Sequence, residues 1–143
     1  DDFLNPHIDN SHDRHRARYR RLNLLFYVSP EWDPANGGNL ELWDEKVRKP
    51  TMIPALFNRL VVMETNATSW HSVSPVTVAS NRCCVSNYYF SESSPNGRQY
   101  YHVTSFIGRP EQVGRRVWGR VDNALRQVVA STLNISRNRQ MVR

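Results

Sequence analysis

The sequence predicts a mainly β domain, an antiparallel sandwich or barrel, followed by one amphipathic α-helix. Short runs of strand-forming residues, separated by Gly, Pro, Asn and Ser turns, fill the first hundred residues. After residue 108 an apolar residue recurs at every fourth position. The length of 143 residues, with 39% hydrophobic and 22% charged, suits one domain with its own core.

Eight strands are expected, because each run is too short for a helix and is rich in β-branched or aromatic residues. A polar loop with five arginines is expected at 10–21, and a turn-rich loop at 29–39. The predicted strands are 2–8, 22–28, 40–43, 51–54, 59–64, 69–73, 82–90 and 101–106.

The tail predicts a helix whose apolar stripe docks on a sheet face. Its arginines are interpreted as a solvated outer face, and the alternative is a basic surface for RNA or an acidic partner. The stripe consists of Val113, Val117, Val121, Leu125, Val129 and Leu133.

The net charge of +6 has a local origin. Residues 1–108 carry as many acidic as basic side chains, and the whole excess lies in 109–143. The sequence therefore predicts a neutral core domain at 1–108 and a basic helical extension packed on it at 109–143. The high pI of about 9.8 is then no guide to the substrate of the core.

Composition excludes several classes of protein. No run of about 18 apolar residues exists, so no membrane-spanning helix is expected, and no signal peptide is visible. The adjacent Cys83 and Cys84 form neither a disulfide framework nor a zinc motif, and they are interpreted as strand residues. A reducing, cytoplasmic location is the expectation.

Three residues have the chemistry of a metal site. His7 and Asp9 stand two apart in an extended segment, so both side chains point to one side while Ile8 points to the core. His71, from a distant strand, completes two histidines and one carboxylate, the facial triad of non-haem Fe(II) centres. Taken alone, His71 has the alternative of a satisfied core histidine, and His12 and His15 are interpreted as solvated loop residues.

A carboxylate-binding pair accompanies the triad. Arg82 opens a strand in which it shares one face with Cys84, Ser86 and Tyr88. A buried arginine requires an anion, and a carboxylate held by the two arms of the guanidinium is the natural partner. Tyr27, at the end of its own strand, is placed to donate a second hydrogen bond to that carboxylate.

Together these residues resemble the Fe(II)/2-oxoglutarate-dependent dioxygenases, in particular the prolyl-4-hydroxylase-like branch. The resemblance covers about residues 3–91, with order and spacing kept. It runs through His-Ile-Asp-Asn at 7–10, Leu-Leu-Phe-Tyr-Val-Ser-Pro-Glu-Trp at 24–32, Gly-Gly-Asn-Leu-Glu-Leu at 37–42, His-Ser-Val-Ser-Pro at 71–75 and the strand 82–90.

The resemblance implies a double-stranded β-helix, or jelly-roll, fold. Because the chain starts six residues before His7, the helices and first strand of that fold are expected to be missing upstream. Gly37-Gly38 is similar to the family's turn that lets the following strand approach the site, and an ordinary β-turn is the alternative.

The resemblance also implies the roles of the site residues. His7, Asp9 and His71 look like the iron ligands, Arg82 and Tyr27 like the residues that bind the distal carboxylate of 2-oxoglutarate, and Ser86 like a hydroxyl lining the pocket. The implied cofactor is Fe(II), with 2-oxoglutarate and O₂ as co-substrates and ascorbate as a supporting reductant. The implied reaction hydroxylates an aliphatic C–H bond of a prolyl residue in a protein or peptide, or of a free amino acid, while 2-oxoglutarate is decarboxylated to succinate.

Two other functions remain open at this point. A jelly-roll module could hold a metal or a small acid without turnover, and the arginine-rich loop and tail could serve a dealkylase of the same superfamily that acts on nucleic acid. The oligomeric state has no signal in the sequence.

Overall fold

The computed structural model describes residues 2–95 and 97–132, and these form two antiparallel sheets and one C-terminal helix. The elements are β1 (Leu4–Ile8), β2 (Tyr19–Tyr27), a 3₁₀ turn (Pro34–Asn36), β3 (Leu40–Trp43), β4 (Pro50–Ile53), β5 (Arg59–Glu64), β6 (His71–Val73), β7 (Cys84–Ser91), β8 (Ser105–Phe106) and α1 (Val113–Thr132).

The chain alternates between a five-stranded and a three-stranded sheet. The first has the order β4-β3-β6-β1-β8 and the second has the order β5-β2-β7. Consecutive strands therefore leave one sheet for the other, except at the β3–β4 hairpin. This is a jelly-roll-like arrangement, in agreement with the predicted mainly β class.

The predicted strands are confirmed with shifted ends. The last one is shorter than predicted, because backbone amides before Ser105 bond to side chains instead of a neighbouring strand. The amide of His102 donates to Ser11 Oγ at 2.9 Å, and that of Val103 donates to Gln127 Oε1 at 3.3 Å. At its start, β2 begins inside the predicted loop.

The expected docking of the helical stripe is wrong. The stripe side chains of α1 face away from the sheets, with exposed fractions of 68% for Val113 and 61% for Leu125. Polar side chains hold the helix instead: Asn123 Nδ2 donates to Phe106 O at 2.8 Å, and Gln127 Nε2 donates to Tyr101 O at 2.7 Å. Leu133 lies outside the described residues.

One buried ion pair joins the extension to the core. Arg109 NH2 lies 2.7 Å from Glu41 Oε2, and its NH1 lies 3.1 Å from Oε1 of the same carboxylate. Ser72, next to His71 on β6, donates to that carboxylate as well. Both charged residues are buried, so the pair is shielded from water and fixes the start of the extension against β1, β3 and β6.

Removing the charge of Glu41 is expected to destabilise the fold strongly. Glu41→Gln leaves the Arg109 guanidinium buried without its anion, which costs about 3 kcal/mol in comparable cases. Urea unfolding followed by circular dichroism measures the loss. Asp44→Asn, which breaks the exposed pair between Asp44 and Arg48, serves as the control and should change the midpoint far less. Equal midpoints for the two variants would contradict the expectation.

Candidate metal centre

Two neighbouring strands bring the predicted triad together. His7, near the end of β1, lies directly opposite His71, the first residue of β6. Their rings are 4.1 Å apart between centroids, and Asp9 follows one residue after β1 ends. One ligand atom from each residue lies within 4.8 Å of the others. The sequence prediction that these side chains converge is therefore met by the geometry.

Backbone carbonyls fix the orientation of both imidazoles. His7 Nδ1 lies 3.0 Å from Asn5 O, and His71 Nδ1 lies 3.0 Å from Ser69 O. Because a carbonyl oxygen only accepts, each Nδ1 carries the proton and donates it. Nε2 is then the nitrogen of each ring that is available to a metal ion, and His71 Nε2 lies 3.7 Å from Asp9 Oδ2. This is the arrangement in which a histidine binds a metal ion through Nε2.

The environment keeps His7 neutral. Burial, and then repulsion from His71, lowers the pKa of His7 to about 4. Its imidazole is consequently deprotonated at neutral pH, as a metal ligand has to be.

Two side chains of β2 hold the carboxylate of Asp9. Arg20 NH1 lies 3.1 Å from Asp9 Oδ2, and Asn23 Nδ2 donates to the same oxygen at 2.9 Å. Arg20 is buried, stacks on the ring of Tyr88 at 4.1 Å, and also donates to Asn10 Oδ1 at 2.9 Å. No pattern in the sequence indicates Arg20 or Asn23, although both contact the Asp9 carboxylate.

A change of register explains how both residues reach Asp9. In a regular strand, residues three apart point to opposite faces. The pairing of β2 with β7 shifts between Arg20 and Leu22, so β2 contains one extra residue there. This bulge turns Arg20 to the same side as Asn23.

Asn23→Leu is expected to weaken binding of a divalent metal ion by 10- to 100-fold, since outer-shell partners of a metal ligand typically contribute that much. The Asp9 carboxylate would lose one of the two hydrogen bonds that orient it. Calorimetric titration with Mn²⁺ measures the affinity. Asn87→Leu, an exposed asparagine of β7, is the matched control and should bind Mn²⁺ like the unchanged protein. Unaltered affinity in the Asn23 variant would contradict the role of this side chain.

A further histidine supports the segment that carries Asp9. His102 Nε2 lies 2.7 Å from the backbone oxygen of Asp9 and donates to it. Burial lowers the pKa of His102, so the ring acts as a neutral donor. No spacing in the sequence joins His102 to Asp9, which explains why it was missed.

The interpretation of His12 as a solvated residue is wrong. Its exposed fraction is 7%, and its ring packs 4.2 Å from that of Tyr19. His12 Nδ1 also lies 2.8 Å from Ser11 Oγ. A bridge between His12 and Tyr19 folds this loop back on β2 and buries the imidazole. His15 is exposed, as predicted.

The predicted carboxylate-binding pair is also brought together. The Arg82 guanidinium carbon lies 5.2 Å from the centre of the Tyr27 ring, and Tyr27 is only 3% exposed. Burial raises the pKa of Tyr27, and nearby Arg82 partly opposes that rise, so the phenol stays a hydrogen-bond donor. Arg82 Nε is buried without a hydrogen-bond partner among residues 2–95 and 97–132. Arg82 can therefore donate a further hydrogen bond to a bound carboxylate.

Both glycines of the turn before β3 are required by their surroundings. Gly37 and Gly38 have φ angles of +83° and +67°, where L side chains are strained. A Cβ on Gly37 would lie 1.7 Å from Pro75 O. A Cβ on Gly38 would lie 2.8 Å from both Cδ and Nε of Arg82. The turn thus sets the position of the arginine, which goes beyond the role of an ordinary β-turn.

Gly38→Ala is expected to weaken binding of a small carboxylic acid at Arg82 about tenfold, because the added methyl group displaces the Arg82 side chain. Calorimetric titration with a small dicarboxylic acid measures the affinity. Gly97→Ala is a matched control, since Gly97 also has a positive φ of +71° but faces open space. An equal loss of affinity in both variants would contradict displacement of Arg82 as the cause.

The two groups of residues lie along the same inward strand faces. On β2, Asn23 contacts Asp9, and Tyr27 lies beside Arg82. Asn23 and Tyr27 are four residues apart, which corresponds to about 13 Å along the strand. Ser86 lies midway along β7, opposite Leu25 of β2, and it is exposed. It lies on the same face of β7 as Cys84 and Tyr88, as predicted.

The donor set fits a non-haem iron site. Two imidazole nitrogens and one carboxylate make the facial triad, and Arg82, whose Nε has no hydrogen-bond partner among the described residues, supplies a cation for an organic acid. A β-sandwich with these two features is what the resemblance to the Fe(II)/2-oxoglutarate-dependent dioxygenases implies.

Comparison with known proteins agrees with this class. The family model of the 2OG-Fe(II) oxygenase superfamily matches residues 1–90, so the chain belongs to that superfamily. The chain is similar to prolyl 3-hydroxylase OGFOD1 of Mus musculus, with 30% identity over 88 residues. That match covers 57% of this chain and 16% of the mouse protein, so the chain spans a small part of its relative. No solved structure matches the chain significantly.

Among the described residues, no helix is long and apolar enough to cross a membrane.

Proposed function

We propose that the protein is an Fe(II)- and 2-oxoglutarate-dependent dioxygenase that hydroxylates an aliphatic C–H bond. The observation that carries the proposal is the convergence of His7, Asp9 and His71, with both imidazoles anchored through Nδ1. These residues would hold the iron through two Nε2 atoms and one carboxylate oxygen. Membership of the superfamily supports the same chemistry.

Arg82 and Tyr27 would bind the distal carboxylate of 2-oxoglutarate, and Ser86 would line the pocket between them and the metal. The guanidinium offers two parallel donors and the phenol a third. When bound, iron and 2-oxoglutarate supply an oxidant, with O₂, that converts C–H to C–OH while 2-oxoglutarate becomes succinate and CO₂. Ascorbate would keep the iron reduced.

The protein's own contribution would be orientation and exclusion of water. Arg20 and Asn23 hold Asp9 in one rotamer, and the carbonyls of Asn5 and Ser69 do the same for the imidazoles. Preorganised ligands avoid the cost of reorganisation when the reaction occurs. We further interpret the two alternating sheets as a double-stranded β-helix at 1–108, with 109–143 as a helical extension.

A prolyl residue of a protein or peptide is the substrate that we favour. The support is the resemblance to the prolyl-4-hydroxylase-like branch together with the similarity to a prolyl 3-hydroxylase. The hydroxylated ring position is part of the test, because the two relationships suggest different carbons. A free amino acid is the second choice, and a cytoplasmic location is retained as an expectation, to which the free thiols of Cys83 and Cys84 conform.

A succinate-release screen tests the proposal. Protein, Fe(II), 2-oxoglutarate and ascorbate are incubated with proline-containing peptides, or with free amino acids, in air and under nitrogen. Oxygen-dependent succinate formation is expected without substrate, with stimulation by peptides that contain proline. Binding of 2-oxoglutarate with no oxygen uptake across the whole panel would instead identify a non-catalytic binding module.

A further inference from the structure

A cavity with an aromatic lining lies beside the segment that carries Asp9. Its volume is about 550 Å³, within the range usual for ligand sites. We name it the aromatic cleft and define it by His12, Arg16, Tyr19, Glu92, Tyr100 and Tyr101. None of the residues to which a role has been given in the oxygenase chemistry lines it.

The rings of the aromatic cleft form one connected group. Tyr19 lies between His12 and Tyr100, at centroid distances of 4.2 and 5.5 Å. The Arg16 guanidinium carbon lies 4.0 Å from the centre of the Tyr101 ring. The cleft therefore offers several flat faces, and polar groups lie between them.

Hydrogen bonds hold the walls of the cleft in place. Arg16 NH2 donates to Tyr101 Oη at 2.9 Å and to Ala130 O of α1 at 3.1 Å. The Asp13 carboxylate accepts from the amide of Ala17 at 2.8 Å and closes the turn that carries Arg16. Side chains that hydrogen bonds already hold in place lose little conformational entropy when a ligand binds, and this favours affinity.

The back of the cleft is joined to the metal centre. The ring of Tyr100 stacks on that of His102 at 5.7 Å, and His102 donates to the backbone oxygen of Asp9. Ser11, two residues after Asp9, contacts the ring of His12. A ligand that fills the cleft would thus lie against the segment that carries a metal ligand.

We propose that the aromatic cleft binds the proline-containing segment of a peptide substrate and so selects that substrate. The inference rests on the proposed function, whose reaction requires a peptide to be held beside the iron. Proline-rich segments are preformed in the polyproline II conformation, and aromatic-lined grooves bind them at low entropic cost.

The charges of the cleft favour a peptide over single-stranded nucleic acid. Bases stack on aromatic rings as well, but nucleic-acid sites surround those rings with cations. Here Arg16 and Glu92 both line the cleft, so its lining has no excess of cations. A neutral peptide matches this lining, whereas a phosphate chain requires a surplus of positive charge.

Fluorescence polarisation with defined probes tests the inference. Labelled (Pro-Ala)₅ is the peptide probe, (Ser-Ala)₅ the proline-free control and a ten-nucleotide oligo(U) the RNA probe. The full chain should bind (Pro-Ala)₅ at least tenfold more tightly than either of the others. Tyr101→Ala should weaken that binding about tenfold, and Tyr101→Phe, which keeps the ring, should restore most of it.

The control variant is Tyr89→Ala, which changes a tyrosine on the outer, exposed face of β7 and should leave peptide binding unaltered. Mn²⁺ affinity, measured for every variant, reports on the integrity of the fold around Asp9. Equal affinity for both peptides, tighter binding of oligo(U), or equal losses in the Tyr101 and Tyr89 variants would each overturn the inference. Since the probes bind without turnover, failure here is distinguishable from failure of succinate formation.

Discussion

Replacing His7, Asp9 or His71 by alanine is expected to abolish oxygen-dependent succinate formation and to weaken Mn²⁺ binding more than about 100-fold. The expected loss is larger than for Asn23→Leu, because a missing ligand removes a bond to the metal, whereas outer-shell changes alone cost 10- to 100-fold. Each of the three side chains contributes one of the converging ligand atoms. Calorimetry measures the metal affinity, and a succinate assay measures the reaction.

His15→Ala provides the matched control for this result. His15 is an exposed histidine on the loop that follows Asp9, and it lies outside the group of converging ligands. Its variant should retain both metal binding and succinate formation. Full turnover in any one of the three triad variants would disprove the iron site.

Arg82→Gln is expected to raise KM for 2-oxoglutarate about 100-fold, as is usual when a charge-assisted hydrogen-bond pair to a carboxylate is lost. Arg82→Lys should give a smaller increase, because lysine keeps the charge but lacks the two-armed geometry. Mn²⁺ affinity should be retained in both variants, since Arg82 is not one of the converging ligands. Calorimetric titration of the Mn²⁺-loaded protein with 2-oxoglutarate measures the binding independently of turnover.

Arg48→Gln is the control for the charge of Arg82. Arg48 is exposed and pairs with Asp44 on the protein surface, so its loss should leave KM unaltered. Equal KM values for Arg82→Gln and the unchanged protein would exclude Arg82 as the carboxylate-binding residue.

Local sequence patterns were sufficient to predict the strands and the common facing of His7 and Asp9. His7 and Asp9 obey the two-residue period of extended chain, which depends only on backbone geometry. The proximity of Arg82 to Tyr27 follows from antiparallel pairing of β2 with β7, where Tyr27 lies opposite Cys84. Family resemblance was needed to join these separate strands into one site.

Long-range polar contacts were not predictable from such patterns. Arg20 reaches Asp9 only because β2 contains an extra residue, and a bulge breaks the period on which the prediction of facing depends. His102 is 93 residues away from Asp9 in the chain. Glu41 and Arg109 are likewise far apart, and nothing in either segment alone indicates a buried pair.

The orientation of α1 illustrates a different difficulty. An apolar stripe predicts which face of a helix is hydrophobic, but not which face the rest of the chain will contact. Here the sheet edge presents backbone carbonyls, such as Phe106 O, and Asn123 satisfies that oxygen where valine could not. Gly119 lies on the same side, where a Cβ would be 2.9 Å from Phe106 O.

The extra residue of β2 also determines where the chain tolerates a change in length. Deleting a residue between Asn23 and Tyr27 would reverse the facing of one part of the strand and separate the contacts to the metal centre from those to Arg82. Deleting Arg21 would instead leave Arg20, Asn23 and Tyr27 in regular alternation. Position 21 is thus the place in this strand at which a deletion preserves the facing of all three residues.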